Sequence, residues 1–326
     1  MGALAGLHLF EVVQGSIKMS VLLTAPCNFC GHSQADEFLT LTDLRMNLPG
    51  SWKLMKCERC GLLFIDPQPG WEELSAHYPK DYHAYLRKDS KSANFLRGFG
   101  LRNRVHSVLR QVTFQNGRLL DVGCATGDFL QEFRTITNWE VEGLEIVPEA
   151  AKIARAKGLN VIEKELENAD LGESSYDVIT LWDVLEHVPN PAATLLLCYG
   201  LLKPGGILVL KCPDPAGKEA SIFNDSWIGY EAPQHLFGFP KTVLINKLEE
   251  IGFSRVNTIQ TGSDYSSFFV SLGHWLNKQG RTNLSKFIIS ATHRLFGRVI
   301  AGTIIRPIRW LGIRSSCTYI SIKKPQ

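Results

Sequence analysis

Two closely similar cysteine pairs lie near the N-terminus of this 326-residue chain. Each pair has the spacing Cys-x-x-Cys-Gly, and the four sulfurs belong to Cys27, Cys30, Cys57 and Cys60. A tight turn of this kind points two thiolates at one place, and the glycine relieves the backbone behind the second cysteine. Two such turns supply the four ligands of a tetrahedral zinc ion. The spacing therefore predicts a structural zinc in a small ribbon of strands over residues 20–80, with redox-active or unpaired thiols as the alternative.

Three further residues could move a proton, namely Glu186, His187 and His235. His187 and its acidic neighbour lie in DVLEHVP, directly after an apolar run, and His235 lies in WIGYEAPQHLF, a segment rich in aromatic and turn residues. Histidine is the natural base near neutral pH, and it can remove a proton from a hydroxyl group or from a carbon acid. We expect His235 to be the base or a substrate-binding group. A histidine that ties its loop to the core is the alternative.

A glycine turn follows an apolar run in the stretch LLDVGCATGDFL. Gly123 and Gly127 lack the G-x-G-x-x-G spacing of a dinucleotide fold. Asp121 precedes the turn, and a carboxylate there suits a ligand with an ammonium group rather than a pyrophosphate. Glu145 ends the next apolar run, where it can accept hydrogen bonds from two ribose hydroxyls. Together these features predict S-adenosylmethionine as the ligand.

The elements that must position these groups alternate between strand and helix from Arg118 onward. The predicted strands are Leu119–Val122, Val141–Glu145, Val161–Ile162, Asp177–Leu181 and Ile207–Lys211. They are mostly continuous apolar runs, as in a sheet that is covered on both faces. Proline at the start and glycine after the end mark the helices between them. The pattern predicts an α/β fold with a doubly wound, mostly parallel sheet.

Residues 118–211 resemble the core of the class I S-adenosylmethionine-dependent methyltransferases. The resemblance is carried by LLDVGCATGDFL, VEGLEIVPEA, YDVITLWDVLEHVPNP and LLKPGGILVLKCPD. It implies a Rossmann-like sheet of seven strands whose last strand, for which Cys317–Lys323 is the candidate, is antiparallel. It also implies a set of cofactor-binding residues: Asp121, Gly123, Cys124, Ala125, Gly127, Glu145, Ile146, Trp182 and Asp183.

The same resemblance implies a role for each of these groups. The backbone of the glycine turn faces the methionine and ribose portion, and Asp121 orients the amino group. Ile146 packs on adenine, whereas Trp182 and Asp183 line the pocket near the methionine end. A protein that keeps the fold without turnover would be expected to lose Asp121, the two glycines or Glu145, and all of them are present.

The resemblance leaves the catalytic residues partly open. The motif W-x-G-Y-x-x-P-x-H-L-x-x-F around His235 recurs in members that carry a ribbon. The pair Glu186-His187 commonly shapes the pocket. In ubiquinone-type O-methyltransferases an equivalent acid-and-histidine cluster can hold a divalent metal, so Asp183, Glu186 and His187 keep that alternative open.

A ribbon ahead of a methyltransferase core occurs in two settings. One is a group of rRNA guanine methyltransferases, and the other comprises bacterial enzymes for sugars, polysaccharides and natural products, including sugar C-methyltransferases. Between residues 20 and 80 the chain has five basic and seven acidic side chains. RNA binding favours a basic surface. We therefore expect a small-molecule or saccharide acceptor rather than a nucleic acid, and O-methylation ahead of C- or N-methylation.

The C-terminal region has a different charge from the rest of the chain. The net charge is +3, and no acidic residue follows Asp264, although Lys and Arg recur to the end. Apolar and basic residues alternate there at helical spacing. Helices packed on the sheet or against a second copy are one expectation. Contact with a membrane surface, and with it a lipid-linked acceptor, is the other.

Composition completes the expectations. The low cysteine density and the absence of a convincing signal peptide favour a reducing cytoplasm. The predicted segments are a disordered tail over 1–19, the ribbon over 20–80, a helical lead-in over 81–115 and the methyltransferase domain over 116–326. A substrate loop at 216–240 and a helical insertion at 265–315 belong to that domain.

Overall fold

The computed structural model describes residues 9–13, 16–77, 91–258, 265–293 and 317–325. Within these ranges no helix has the length and hydropathy needed to cross a membrane.

The strands and helices follow one another in two sets. The strands are β1 (Leu9–Val13), β2 (Ser16–Leu22), β3 (Gln34–Leu41), β4 (Trp52–Cys57), β5 (Leu63–Ile65), β6 (Arg118–Val122), β7 (Glu140–Leu144), β8 (Asn160–Ile162), β9 (Tyr176–Trp182), β10 (Leu202–Pro213), β11 (Phe237–Gly238), β12 (Ser254–Thr258) and β13 (Cys317–Lys323). The helices are α1 (Trp71–Ala76), α2 (Lys91–Leu109), α3 (Asp128–Ile136), α4 (Pro148–Ala156), α5 (Pro191–Leu201), α6 (Lys218–Phe223), α7 (Lys241–Ile251), α8 (Tyr265–Lys278) and α9 (Thr282–His293).

The larger sheet has seven strands in the order β8-β7-β6-β9-β10-β13-β12. Strands β6 to β10 pair in parallel, whereas β13 is antiparallel to both β10 and β12. This arrangement confirms the predicted α/β class with a mostly parallel seven-stranded sheet. The last strand has the predicted bounds, Cys317–Lys323.

Continuous apolar runs form the central strands because both faces of the sheet are covered. In β6, Leu120 belongs to a core cluster that includes ribbon residues, whereas Leu119 belongs to a cluster with α2 and α3. Successive strand residues point to opposite faces, so a strand covered twice is apolar at every position. Both leucines are fully buried.

The N-terminal sheet has six strands, and one of them comes from the methyltransferase domain. Its order is β1-β2-β3-β4-β5-β11, and Phe237 and Gly238 of β11 pair with Phe64 and Leu63. The short segment from the predicted substrate loop covers an edge of β5 that would otherwise expose unpaired backbone groups. The ribbon predicted over residues 20–80 is therefore completed by residues from the segment 216–240.

One predicted segment differs from the structure, and two others extend beyond the residues that the structure describes. A disordered tail was expected over residues 1–19, but Leu9–Val13 and Ser16–Leu22 are strands, and β2 pairs with β3. The lead-in contains the helix α2, and its residues 81–90 lie outside the described residues. The insertion contains α8 and α9, and its residues 294–315 also lie outside.

Candidate functional site

A cavity of about 410 Å³ lies where β6 and β9 end. Its lining residues come from α2, β6, the glycine turn, α3 and β9: Gly100, Leu101, Arg104, Asp121, Gly123, Cys124, Ala125, Thr126, Asp128, Phe129 and Trp182. Ligands of open α/β sheets bind beyond the carboxyl ends of the strands, and pockets of this volume suit a small molecule. Five residues predicted to bind the cofactor line this cavity: Asp121, Gly123, Cys124, Ala125 and Trp182.

Packing within the protein accounts for the two glycines of the turn. Gly123 and Gly127 have φ angles of +71° and +74°. A Cβ atom on Gly123 would lie 2.6 Å from Val184 Cγ2, and one on Gly127 would lie 2.3 Å from Leu159 Cδ1. Both positions therefore require glycine for backbone conformation and for close packing.

The turn uses its N–H groups internally. The amides of Cys124 and Gly127 donate to the carbonyls of Leu144 and Cys124, both at 2.9 Å. The amide of Ala125 donates to Glu145 Oε2 at 2.8 Å. An anion-binding turn needs free N–H groups. These three N–H groups are used within the protein and are therefore not available to bind an anion.

Glu145 is buried behind the turn and accepts two backbone hydrogen bonds. Its Oε2 binds the amide of Ala125 and its Oε1 binds the amide of Val147, each at 2.8 Å. Burial raises the pKa of this carboxyl, and the backbone N–H groups oppose that shift. Each carboxylate oxygen can accept a second hydrogen bond. The predicted contact with ribose hydroxyls is therefore compatible with this geometry and stays a prediction.

Asp121 and Arg104 place opposite charges in the cavity wall. Asp121 is buried, and the hydroxyl of Thr180 donates to its Oδ1 at 2.5 Å. Burial raises the pKa of Asp121 to about 7, against the effects of this hydrogen bond and of the Arg104 charge. The guanidinium of Arg104 lies 5.1 Å from the ring centre of Trp182. A ligand that bears both an ammonium and a carboxylate group matches this wall.

The aromatic side of the cavity supports the same ligand. Phe129 and Trp182 meet edge to face with ring centres 5.4 Å apart. The indole Nε1 of Trp182 is buried without a hydrogen-bond partner. Buried polar atoms are normally paired, so a group supplied by a ligand would satisfy it. The residues present thus fit S-adenosylmethionine: apolar and aromatic surface, a buried carboxylate, a guanidinium and an unpaired donor.

The other predicted cofactor residues lie around the cavity. Gly127 begins α3, and Ile146 is 52% exposed just after β7, as an unpaired apolar surface for a ligand would be. Asp183 has a φ angle of +57°, and its Oδ2 accepts from the Nζ of Lys211 at 2.9 Å. Lys211 is buried at the end of β10. The carboxylate of Asp183, which was expected to line the pocket, is thus held by an ion pair that the sequence analysis missed.

Arg104 was also missed, although a signal for it exists. Leu101, Val105 and Val108 recur at helical spacing and pack into the core beside β6. Arg104 lies three residues after Leu101, so it belongs to the same face of α2. A basic residue on the buried face of a helix needs an anionic partner or ligand, and this could have been read from the sequence.

His187 and His235 contact each other, and neither is among the residues that line the cavity. Their rings meet edge to face with centres 4.6 Å apart. The Nδ1 atoms lie 2.9 Å from the carbonyl of Gln234 and 2.8 Å from that of Gly229. Because a carbonyl only accepts, Nδ1 carries the proton in both rings and Nε2 is left as an acceptor. Burial lowers the pKa of each ring to about 4, so both are neutral at pH 7.

Glu186 completes this cluster. Its side chain is fully buried, and neither carboxyl oxygen has a hydrogen-bond partner. Burial and the nearby Asp183 raise its pKa well above the usual value. Among the described residues, one acceptor atom from each of Glu186, His187 and His235 lies within 4.8 Å of the other two, a set that could hold a cation. The sequence analysis left open a divalent metal site formed by Asp183, Glu186 and His187. In the structure the set that could form such a site contains His235 in place of Asp183.

The four predicted zinc ligands converge on one point. The sulfurs of Cys27 and Cys60 are 3.6 Å apart, as are those of Cys30 and Cys57, and no disulfide is formed. A tetrahedron with zinc–sulfur bonds of about 2.3 Å has edges of about 3.8 Å. The hydrogen bond from the Cys60 thiol lowers the pKa of Cys27 to about 5. The same contact raises the pKa of Cys60, so the sulfur spacing is the feature that fits a tetrahedral metal.

The two knuckles have the same backbone geometry. The glycines after them, Gly31 and Gly61, have φ angles of +70° and +79°. Their amides donate to the carbonyls of Cys27 and Cys57 at 2.8 and 2.9 Å. The first knuckle docks on the methyltransferase domain, since Asn28 accepts from the amide of Ala192 at the start of α5.

Comparison with known proteins agrees with the fold and the cavity. A family model described as a methyltransferase domain matches residues 94–258. The ubiquinone biosynthesis O-methyltransferase of Xanthomonas campestris is 34% identical over 114 residues, which are 33% of this chain and 47% of that protein. The protein of the same name from Bordetella bronchiseptica is 39% identical over 98 residues, 27% of this chain and 39% of that protein. The matches thus span about half or less of these relatives.

A solved structure is similar over a larger part of the chain. The phosphoethanolamine N-methyltransferase 2 of Haemonchus contortus, in complex with S-adenosyl-L-methionine, has a TM-score of 0.50 and 14% identity. The similarity covers 85% of this chain and 64% of that one, and at this identity it concerns the fold alone. The strand order, the cavity at the glycine turn and the family match lead to one conclusion: the chain belongs to the methyltransferase domain family and has the fold of the class I S-adenosylmethionine-dependent methyltransferases.

Proposed function

We propose that this chain transfers a methyl group from S-adenosylmethionine to a small-molecule or glycan acceptor, as an O-methyltransferase. The observation that carries the proposal is the cavity wall in which buried Asp121 and Arg104 place opposite charges beside the unpaired indole N–H of Trp182. The names of the curated relatives support O-methylation.

Each cofactor contact follows from the chemistry of the side chain. Asp121 receives the ammonium group and Arg104 the carboxylate, while Glu145 accepts from the ribose hydroxyls and Ile146 covers the base. When bound, S-adenosylmethionine supplies a methyl carbon activated by a sulfonium. The chain holds the acceptor in line with that carbon, excludes water with Phe129 and Trp182, and removes the acceptor proton.

His235 is proposed as the base, with His187 beside it. Its Nε2 atom is an acceptor because Nδ1 is bound to the Gly229 carbonyl. The ring is 8% exposed, so water competes little for this lone pair. The proton of the acceptor hydroxyl would go to Nε2 as the oxygen binds the methyl carbon and the bond between that carbon and the sulfonium sulfur breaks, with S-adenosylhomocysteine as the leaving group. A sugar C-methyltransferase would use the same base on a carbon acid, and product analysis separates the two.

Zinc in the ribbon is part of the proposal, as a structural ion. The sulfur spacing supports it, and four cysteine ligands leave no position open for a substrate. The acidic ribbon argues against an rRNA substrate. Several ribbon charges are also used in ion pairs, such as Lys53 with Glu37 and Arg45 with Glu231.

A membrane-facing role for the helical insertion stays a proposal. In α9, Leu284 and Phe287 are 44% and 70% exposed, and Lys286 lies between them. An apolar stripe with a basic residue suits the surface of an anionic bilayer, and with it a lipid-linked acceptor. Burial of the same stripe against a second copy is the alternative, and flotation with anionic vesicles distinguishes the two.

Two measurements together test the proposed function. Calorimetry measures the binding of S-adenosylhomocysteine, and radiolabelled S-adenosylmethionine is incubated with cell extract that is then separated into small-molecule, lipid, saccharide and RNA fractions. We expect binding, and label outside the RNA fraction. His235→Ala should remove the label and change the affinity for S-adenosylhomocysteine less than about twofold. Absence of binding would refute the methyltransferase proposal. Label in the RNA fraction would show that the acceptor is RNA and not a small molecule or glycan.

A further inference from the structure

The charge of Lys157 reaches the wall of the cofactor cavity from a neighbouring helix. Its Nζ atom donates to the carbonyl of Thr126 at 2.8 Å and forms an ion pair with Asp128. Thr126 and Asp128 both line the cavity, whereas Lys157 follows the last residue of α4 and is not one of the lining residues. A residue outside the cavity therefore places a positive charge against two groups of its wall.

The backbone that carries Lys157 is held in place by both neighbouring helices. The amide of Lys157 donates to the carbonyl of Ala154 in α4 at 3.1 Å. The guanidinium of Arg134 in α3 donates to the carbonyls of Lys157 and Gly158, at 3.0 and 2.7 Å. The side chain of Lys157 therefore starts from a fixed point, and its ammonium group meets the first turn of α3 while Arg134 comes from the last turn.

The ion pair lies at the edge of the cavity and is partly shielded from solvent. Oδ1 of Asp128 pairs with Lys157, and Oδ2 accepts from the hydroxyl of Thr126 at 3.2 Å. The side chains of Lys157 and Asp128 are 24% and 25% exposed. Partly buried charges are screened by salt much less than exposed ones. The charge of Lys157 can therefore act on a ligand in the cavity.

Lys157 balances the charges of this wall. The charged lining residues are Asp121, Asp128 and Arg104, so two acidic groups face one basic group. With Asp121 ionised, the ammonium group of Lys157 supplies the second positive charge. Glu145 is buried behind the turn and is the same whether or not Lys157 is present. The difference that Lys157 makes to the wall is therefore one unit of charge.

The methyl donor and its product differ by the same amount. S-adenosylmethionine has a positive sulfonium in addition to its ammonium and carboxylate groups, whereas S-adenosylhomocysteine has a neutral thioether in that place. Opposite charges attract more strongly where water is partly excluded. A wall with a net negative charge would therefore favour the methyl donor over the product, and a wall with balanced charges distinguishes the two less.

We propose that Lys157 is a specificity-determining residue, which offsets the charge of Asp128 and thereby sets the relative affinity of the cavity for the methyl donor and the product. With Lys157 in place, the product competes better with the donor than it would against a negative wall. Turnover then responds to the ratio of S-adenosylmethionine to S-adenosylhomocysteine. This inference rests on the proposed function, because it takes the cavity as the site of both molecules.

The test compares two dissociation constants. Calorimetry measures the binding of S-adenosylmethionine and of S-adenosylhomocysteine to the full-length, zinc-loaded protein at pH 7.5 and low ionic strength. The quantity compared is the constant for S-adenosylhomocysteine divided by that for S-adenosylmethionine. In Lys157→Met we expect this ratio to rise by roughly threefold to tenfold, because one positive charge next to the cavity is lost. In Lys157→Arg, which keeps the charge, the ratio should stay near that of the wild type.

A second substitution separates the charge from a general structural effect. Adding Asp128→Asn to Lys157→Met removes one negative charge and should return the ratio to the wild-type value. A change in the shape of the turn would weaken the binding of both molecules and leave the ratio unchanged. The matched control is Lys152→Met, which removes an exposed lysine of the same helix and should have no effect on the ratio.

Three results would overturn the inference. The first is an unchanged ratio in Lys157→Met, the second is loss of binding of both molecules in that variant, and the third is a raised ratio that Asp128→Asn fails to reverse. If Lys157→Met does not fold, Asp128→Asn alone decides, because it should lower the ratio while Lys157 remains. Absence of binding of both molecules to the wild type would refute the proposed function, whereas the ratios judge Lys157.

Discussion

Affinity for the cofactor should depend on pH because Asp121, the residue proposed to receive its ammonium group, is a buried carboxyl. Burial raises the pKa of Asp121 to about 7 in the ligand-free protein, even though the Thr180 hydroxyl and the Arg104 charge favour the ionised form. Only the ionised carboxylate can pair with an ammonium group. As the pH falls below 7, ligand binding must first remove a proton from Asp121, so the affinity falls.

The magnitude follows from the fraction of Asp121 that is ionised. With a pKa of about 7, roughly three quarters is ionised at pH 7.5 and about 3% at pH 5.5. The dissociation constant for S-adenosylhomocysteine should therefore rise about 25-fold over this range, which corresponds to about 2 kcal/mol. Above pH 7.5 it should change little on account of this group.

Calorimetry from pH 5.5 to 7.5, in buffers of matched ionic strength, measures this dependence. Asp121→Asn should bind weakly at every pH with a flat profile, because an amide cannot ionise. Glu132→Gln, which alters a carboxylate of α3 paired with Arg102 of α2, is the control and should keep the wild-type slope. A change of less than about threefold in the wild type, or an equal slope in Asp121→Asn, would refute the reasoning.

Three further results are expected. In the unfolded chain Asp121 ionises near its usual pKa of 3.8, whereas in the folded protein it does so near 7, so the folded state loses stability as the pH rises between these values. Asp121→Asn should therefore stabilise the ligand-free protein by up to about 4 kcal/mol above pH 7 and have little effect below pH 4. Urea unfolding measures this difference. Zinc removal by a chelator, or Cys57→Ser, should lower the melting temperature and speed hydrogen exchange of the Ile65 amide, which donates to the carbonyl of Leu236, whereas binding of S-adenosylhomocysteine should persist. Gly127→Ala should destabilise the protein by more than about 1 kcal/mol, since its Cβ would meet Leu159 at 2.3 Å, whereas Gly31→Ala, with open space around it, should cost less.

Features encoded in short stretches of the chain were predicted well. The apolar runs identified the central strands to within a few residues, and Cys317–Lys323 was assigned its observed bounds. The four cysteines converge as their spacing indicated. In each case the signal lies in residues close together in the sequence, namely the apolar run of a strand or the two cysteines of a knuckle.

Groups that act at a distance were predicted less well. Arg104 reaches the cavity because α2 packs beside β6, and Lys211 binds Asp183 because β10 lies next to β9. The ribbon sheet gains a strand from the segment 216–240 because β11 pairs with β5. Sequence spacing carries little information about such contacts, since the partners are far apart along the chain.

By itself, then, the sequence determined the α/β sheet, the glycine turn with Asp121 and Glu145 beside it, and the tetracysteine cluster, since apolar periodicity and short motifs specify local geometry. Only the tertiary structure decided that His187 and His235 share one contact, that Arg45 reaches Glu231, and that Asp121 titrates near neutral pH. Burial and the proximity of distant charges set these properties, and both arise only when the ribbon, the sheet and the segment around His235 pack together.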